Sequence, residues 1–382
     1  MRTIPFGWPV IGDEERAAVM EVLRGPVLTH GPRVKEFEAA FARFTGADHS
    51  IATASCTAAL HLCYFYLGLG RGDEVIVPAQ THVATAHAVE YCGAKPVFVD
   101  SEINTGNLDL EKLEHAITEN TRALSVVHYL GMPVDMDRVC KIAKKHNLFV
   151  VEDCALAIGA CYKGIHLGLH GDAGCFSFYP VKHITTAEGG MLITKHARVA
   201  SEIARQRAFG IDRNVVAERA IPGQYDVQGL GFNYRLNEIG AALGLEQMKR
   251  VPEFLKKRRE NYEMLSRGLR EIEELELFSS SHGQYQSSYY CHSVMLKEPL
   301  QKKRLEIIEY LKGHGVGTSI YYPRPVPEMT YYRNKYGYPE NCCPVASRIS
   351  VSSIALPVGP HVDAEDIDYI LETIKAAIME VK

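Results

Sequence analysis

Between Thr57 and Asp153 the chain alternates two hydrophobic patterns. Segments with apolar residues at helical spacing cover Thr57–Leu67, Val83–Tyr91, Leu110–Ile117 and Met136–Lys145. Short, almost continuously apolar runs lie between them at Glu74–Pro78, Pro96–Asp100, Ala123–His128 and Leu148–Asp153. A short run that is apolar throughout is buried on both faces, and helices between such runs serve as crossovers. The pattern therefore predicts an α/β domain whose mostly parallel sheet is covered on both sides. Ahead of it, Asp13 can cap an amphipathic helix with Glu14 and Glu15 in its first turn and Ala17, Ala18, Val19, Val22 and Leu23 as its apolar positions. After Val251 the pattern changes to a charged helix at Glu253–Glu271, a strand at Ser288–Leu296, a helix at Leu300–His314 and a strand at Val316–Tyr322. The apolar Ile354–Pro357 and a last helix at Ala364–Met379 complete it. Two closely packed domains are expected: a large α/β domain over residues 1–250, including the N-terminal segment, and a smaller α+β domain over 251–382.

Charge and cysteine usage narrow the function classes. A formal charge of −4 over 382 residues, with both signs interspersed, leaves no basic stripe for nucleic acid and no polybasic patch for a membrane surface. No stretch is long and apolar enough to cross a bilayer, and Met1–Gly12 has no signal-peptide core, so a cytoplasmic protein without nucleic-acid or membrane partners is expected. The ten cysteines include no C-x-x-C pair and fall mostly inside apolar runs, as small buried hydrophobes do in a reducing compartment. His166 and His170 are the one H-x-x-x-H pair, but Gly168 and Gly171 suit a turn there, and no metal site is expected.

Four segments carry candidate chemistry. Lys182 lies between the aromatic Phe176-Ser177-Phe178-Tyr179 and the turn Thr185-Thr186-Ala187-Glu188-Gly189-Gly190, which leads into the apolar Met191–Thr194. Partial desolvation in that setting makes an amine nucleophilic, as a Schiff-base lysine requires. Asp153 ends the apolar run after Glu152, at the carboxyl end of a parallel strand, where open α/β sheets bind ligands. An acid for a pyridine nitrogen and a lysine for an aldehyde are the pair that pyridoxal phosphate needs, although a Glu-Asp strand end also serves as a helix cap or metal ligand. The turn Ala54-Ser55-Cys56-Thr57-Ala58-Ala59-Leu60 can hold a phosphate at a helix N-terminus, or be an ordinary N-cap. His82, after the strand ending at Pro78, offers a planar ring at another strand end, where a structural histidine is the other reading.

In chain order the segments resemble the pyridoxal-phosphate-dependent sugar aminotransferases of the DegT/DnrJ/EryC1/StrS type over nearly the whole chain. The resemblance rests on Ser55-Cys56-Thr57-Ala58-Ala59-Leu60-His61, Gly72-Asp73-Glu74-Val75-Ile76-Val77-Pro78, Glu152-Asp153, Phe176-Ser177-Phe178 with Lys182, and Gly231-Phe232-Asn233-Tyr234-Arg235. It implies the fold type I architecture, a mostly parallel seven-stranded sheet between helices plus a smaller C-terminal domain. It also implies pyridoxal 5′-phosphate as cofactor, with pyridoxamine phosphate alternating. By the resemblance Lys182 anchors the cofactor and shuttles the proton, while Asp153 pairs with the ring nitrogen. Thr57, Ser177 and the amides of Cys56 and Ala58 hold the phosphate. Asn233 reaches the phosphate of the partner subunit in a homodimer with shared sites. His82 stacks on the ring, Leu156 lies near the phenolic oxygen, and Thr29, His183, Arg235, Tyr322 and Arg324 are substrate-side candidates. The implied reaction moves an amino group from L-glutamate to a keto sugar carried on a nucleotide. The Lys182 segment is most similar to members, such as perosamine synthases, that aminate C4 of 4-keto-6-deoxy sugars for O-antigen-type glycans.

Three positions depart from the family pattern. His82 stands for the commoner Trp, Phe or Tyr, Leu156 for Gln, His or Glu, and Pro327 for the histidine of a P-x-P-x-H segment. Two rival readings follow. One is the family's dehydratase branch, in which histidine replaces the lysine and His183 would be the residue in question. The other is a non-catalytic paralogue that binds a nucleotide sugar.

Overall fold

The computed structural model of the chain describes residues 2–211 and 225–382. Two helices, α1 (Asp13–Arg24) and α2 (Pro32–Thr45), precede the first strand. The large sheet is then built from β1 (His49–Thr53), α3 (Cys56–Tyr66), β2 (Glu74–Pro78), α4 (Val83–Glu90), β3 (Lys95–Val99), α5 (Leu110–Leu113), β4 (Thr121–Val127), α6 (Met136–His146) and β5 (Phe149–Asp153). After the short β6 (Cys161–Tyr162) and β7 (Ile165–His166) come β8 (Ala173–Ser177), β9 (Gly190–Thr194) and α7 (Ala197–Gln206). Seven strands pair in the order β1-β9-β8-β5-β4-β2-β3, and β9, antiparallel to both its neighbours, is the one reversed strand. This is the expected fold type I architecture.

Period-2 alternation divides each strand between two cores. Ile76, Leu124, Val150 and Phe176 face one cluster with α2, α6 and the helix that follows α7, whereas Val75, Ala123, Val151 and Cys175 face another with α3, α4 and α7. The same alternation sends Glu152 and Asp153 to opposite faces. Glu152 is fully buried and accepts from His128 Nε2 at 3.0 Å and from the amides of Gly168, His170 and Gly171 at 2.8, 2.9 and 2.6 Å. His128 Nδ1 accepts the Val134 N–H, so its proton is on Nε2, directed at the carboxylate. Burial alone would raise the Glu152 pKa; His128 and the glycine amides outweigh it and hold the carboxyl below its ordinary value. His128, Glu152 and Cys154 are the one group among the described residues with metal-compatible spacing, and hydrogen-bond donors account for both Glu152 oxygens.

The smaller unit grows from α8 (Glu238–Leu269) and adds β10 (Leu275–Leu277), β11 (Tyr285–Gln286), β12 (His292–Leu296), α9 (Arg304–Gly313), α10 (Thr330–Tyr336), α11 (Pro344–Ser352), β13 (Ser353–Leu356) and α12 (Ala364–Val381). Strands β10, β12 and β13 form a three-stranded sheet whose core includes Leu265, Val294, Ile307, Ile354 and Ile370. A fourth cluster, Tyr129, Leu130 and Leu156 with Tyr290, Cys291 and Ile349, joins this unit to the large sheet. No helix among the described residues is long and apolar enough to cross a membrane.

Several expected elements change. The charged helix starts at Glu238, capped by Asn237 Oδ1 on the Gly240 N–H at 2.8 Å, and runs through Pro252, so the expected 250/251 boundary falls inside one continuous helix. Gly240 and Gly244 concealed its first half; added Cβ atoms there would meet Thr186 at 3.2 and 2.7 Å. The expected strand at 316–322 is an irregular segment with single bridges from Val316 to Ile4 and from Ser319 to Ala355. The helix expected over 110–117 has one α turn and a 3-10 turn at Glu114–Ala116. Asp13 is the first helical residue, and the cap is Gly12, whose N–H donates to Glu15 Oε2 at 2.7 Å.

Glu152→Gln places an NH₂ among these buried donors. It is expected to lower the unfolding free energy of the cofactor-free protein by about 3 kcal/mol, measured by urea denaturation; an unchanged midpoint would contradict this role for the carboxylate.

Candidate active site

The carboxyl ends of β1, β2, β4, β5 and β8 open into one cavity of about 330 Å³. After β1 the chain turns at Ser55, whose Oγ accepts the Ala58 N–H at 3.1 Å and caps α3. The Ala58 amide is thus engaged within the turn, a correction to its expected place on a phosphate. Cys56 and Thr57 line the cavity, and as the first two helical residues their amides have no intrahelical acceptor. They remain suited to an anion at a helix N-terminus.

After β2, His82 caps α4, its Nδ1 accepting the Ala84 N–H at 3.2 Å. An accepting ring nitrogen carries no proton, so the capped imidazole is neutral with its hydrogen on Nε2. Burial, and then the charge of Lys182, lower its pKa. Tyr322 meets this ring edge-on, with centroids 5.9 Å apart.

Asp153, at the end of β5, lines the same cavity and is buried. Thr85 Oγ1 donates to its Oδ2 at 2.7 Å and the Ala155 N–H to its Oδ1 at 3.1 Å. After β8, Ser177 and Lys182 line the opposite wall. The loop that carries Lys182 is closed at its base by Phe178 N–H on the Gly189 carbonyl at 2.9 Å and by Thr186 N–H and Thr185 Oγ1 on the Phe178 carbonyl, both at 3.0 Å. A Cβ on Gly190 would lie 2.4 Å from the Ser55 carbonyl carbon, so glycine there lets the lysine loop pack directly on the helix-capping turn.

Burial lowers the Lys182 pKa, partly offset by Cys56 and Asp153, and so enlarges the neutral, nucleophilic fraction of the amine. Its Nζ lies 5.4 Å from the centre of the Tyr290 ring. The buried guanidinium of Arg258, from α8, donates to the carbonyls of Tyr290 at 2.8 Å and Lys182 at 3.5 Å. Burial pushes the pKa of Arg258 down to about 10.

The neighbouring His183 does not line the cavity. It is buried, with Nε2 3.0 Å from the Ser288 carbonyl oxygen, and burial followed by the Arg258 charge holds its pKa well below the ordinary value. Lys182, and not His183, therefore presents its side chain to the reaction space.

A primary amine, a buried carboxylate, a flat neutral ring and an open helix N-terminus around one cavity fit pyridoxal phosphate. The profile of the DegT/DnrJ/EryC1/StrS aminotransferase family matches residues 9–375. The chain belongs to this family. It is 36% identical over 379 residues to the spore coat polysaccharide biosynthesis protein SpsC of Bacillus subtilis, covering 97% of this chain and 96% of that protein. A Streptococcus pneumoniae chain assigned as a sugar aminotransferase, solved in its PLP form, superposes with a TM-score of 0.93 at 30% identity over the full length of both. Its PMP form superposes at 0.94, also at 30% identity over both full lengths. PseC of Helicobacter pylori, an aminotransferase of pseudoaminic acid biosynthesis, superposes at 0.91 with 28% identity, covering 99% of this chain and 100% of that one. This member of the family is a pyridoxal-phosphate-dependent aminotransferase.

Leu156 and Tyr322 line the cavity, and the Leu156 carbonyl accepts Ser288 Oγ at 2.6 Å. Arg324 is exposed and Pro327 is buried in a 3-10 turn, and neither lines the cavity. Arg235 lines a separate cleft with His30, Gly31, Lys35 and Arg207. Thr29 immediately precedes that cleft, and Asn233 bridges to Ala208, which lines it. Thr81, Thr85, Tyr290 and Tyr321 were missed by the sequence reading. Only the two threonines left a signal, their i, i+4 spacing across a helix start.

In an NMR pH titration of the cofactor-free protein, His82 is expected to titrate below 6.5, the ordinary value. The sign follows from linkage: its stabilising cap is fully present above the unfolded-state pKa and is lost as pH falls through the depressed folded-state pKa. A titration above the ordinary value would refute the capped neutral ring.

Proposed function

We propose that this sugar aminotransferase transfers the amino group of L-glutamate to the keto group of a nucleotide-linked 4-keto-6-deoxy sugar, for amino-sugar glycans of the O-antigen type. The observation that carries the reading is that Lys182 and Asp153 face one cavity whose floor is the N-terminus of α3. The lysine-loop resemblance to C4-aminating members supports the choice of sugar, as does the similarity to a polysaccharide-biosynthesis protein and to PseC.

When bound, pyridoxal phosphate supplies an electron sink for the bonds at the amino-bearing carbon. The residues of this chain do the rest. Lys182 Nζ would anchor the cofactor, then as base take the proton from the donor Cα and as acid deliver it to the cofactor's C4′ carbon. Asp153 stabilises a proton on the ring nitrogen. Cys56 and Thr57 amides, the Thr57 hydroxyl and Ser177 hold the phosphate, and His82 covers the ring face. Lys182 in place of a histidine on the cavity favours transamination over the dehydratase reading.

The working unit in this proposal is a homodimer. Thr29, Asn233 and Arg235 lie away from their own chain's cavity, in the neighbourhood of exposed Val27, Leu28, Phe209 and Leu230, which supports the reading that they complete the site of a second copy. A large domain over residues 1–250 and a small one over 251–382, joined through the continuous helix α8, remains the proposed division. Ten cysteines without a disulfide suit a cytoplasmic enzyme.

Protein mixed with pyridoxal phosphate is expected to show a visible absorption band that borohydride abolishes, leaving the label on the Lys182 peptide. Lys182→Ala should lower turnover roughly a thousandfold or more; normal transamination by that variant would sink the assignment. In a screen of UDP-, GDP- and dTDP-linked keto sugars with L-glutamate, mass spectrometry should find one converted to its amine. Conversion of none would refute the proposed substrate class.

A further inference from the structure

Asp153 is engaged on its protein side before any ligand arrives. Its Oδ2 accepts the Thr85 hydroxyl at 2.7 Å and its Oδ1 the Ala155 amide at 3.1 Å, while Cys56 Sγ lies 4.0 Å from Oδ1. Behind Thr85, the Thr81 hydroxyl oxygen lies 2.8 Å from Thr85 Oγ1, and both threonines are buried.

Proton counting gives this chain one direction. A hydroxyl has a single proton, and an ionised carboxylate only accepts. The Thr85 proton is committed to Asp153, so the Thr81 proton points to Thr85. Each donor polarises the next, and a bond to an ionised acceptor is stronger than one between neutral groups. Thr81 precedes the His82 cap and Thr85 lies in the first turn of α4. The element that sets the His82 ring over the cavity thus also grips the carboxylate.

We infer that Thr85, backed by Thr81, is a positioning residue that aims Asp153 at the cofactor's ring nitrogen and keeps their shared proton on that nitrogen. Hydrogen bonds to a carboxylate favour its ionised form. Without the Thr85 donor the proton moves toward the Asp153 oxygen and the ring becomes a poorer electron sink. The inference rests on the pyridoxal-phosphate reading of this cavity.

Thr85→Val preserves the shape of the side chain and removes the donor, Thr85→Ser restores a hydroxyl, and Thr81→Val removes only the relayed proton. Each holoenzyme is reconstituted with pyridoxal phosphate isotopically labelled at the ring nitrogen, and that nitrogen is observed by NMR. Cofactor affinity is measured by fluorescence titration, with thermal melting of the cofactor-free protein as the folding control. In Thr85→Val the resonance is expected to move toward the unprotonated position and affinity to fall about tenfold. Thr81→Val should move the same way by less, and Thr85→Ser should match the wild type. A folded Thr85→Val protein with wild-type resonance and affinity overturns the inference. If that variant does not fold, an unchanged resonance in Thr81→Val overturns it instead. Wild-type protein that takes up no cofactor refutes the reading of the cavity itself, a failure distinct from that of the relay.

Discussion

The backbone contact between Gly190 and the Ser55–Cys56 turn is the constraint on which the site depends. Strand β9 is antiparallel to β1 and β8 and pairs with both, so the turn that opens α3 and the loop that carries Lys182 leave the sheet side by side. No side chain fits between them, since a Cβ on Gly190 would come within 2.5 Å of the Cys56 amide nitrogen. The turn that opens α3 and the loop that carries Lys182 are brought together by backbone packing. Their separation is therefore insensitive to rotamer changes on the cavity wall.

Two adjacent carboxylates show how strand alternation divides labour. Glu152 and Asp153 are both buried, yet one is enclosed by protein donors and the other has donors on one side and the cavity on the other. Glu152 pins the loop over residues 166–171 to the sheet through three amides, which stabilises the platform beneath the strand end. Asp153 is left with acceptor capacity toward the ligand. A one-residue slip in β5 would exchange these roles and destroy both.

The smaller unit also reaches the cavity. Tyr290 places its ring near Lys182 Nζ, and Arg258 ties the carbonyls of Tyr290 and Lys182 to α8. Tyr290 also hydrogen-bonds Tyr321 through their hydroxyls at 2.8 Å, and Tyr321 and Tyr322 line the cavity. The buried Arg258 guanidinium faces carbonyl dipoles and lies 6.0 Å from the centre of the Tyr290 ring. Movement of this unit would be felt directly at the lysine loop.

What the sequence by itself determined is whatever depends on local order. Short apolar runs must be strands buried on both faces, an acid at the end of such a run must lie on the carboxyl edge, and a lysine between an aromatic run and a Thr/Gly turn must sit on a constrained loop. These arguments reached the α/β sheet, Asp153, Lys182, Thr57 and His82, and the family motifs carried the cofactor. The tertiary structure decided what depends on which groups meet across the fold. It showed that Ser55 engages the Ala58 amide, that His183 faces away from its neighbour Lys182, and that α8 begins well before the charged segment. It also brought Thr85 against Asp153 and Tyr290 near Lys182, and set Thr29, Asn233 and Arg235 away from the cavity. Periodicity tells a residue which face of its own element it occupies; only packing, which fixes distances between elements far apart in the chain, tells it what lies opposite.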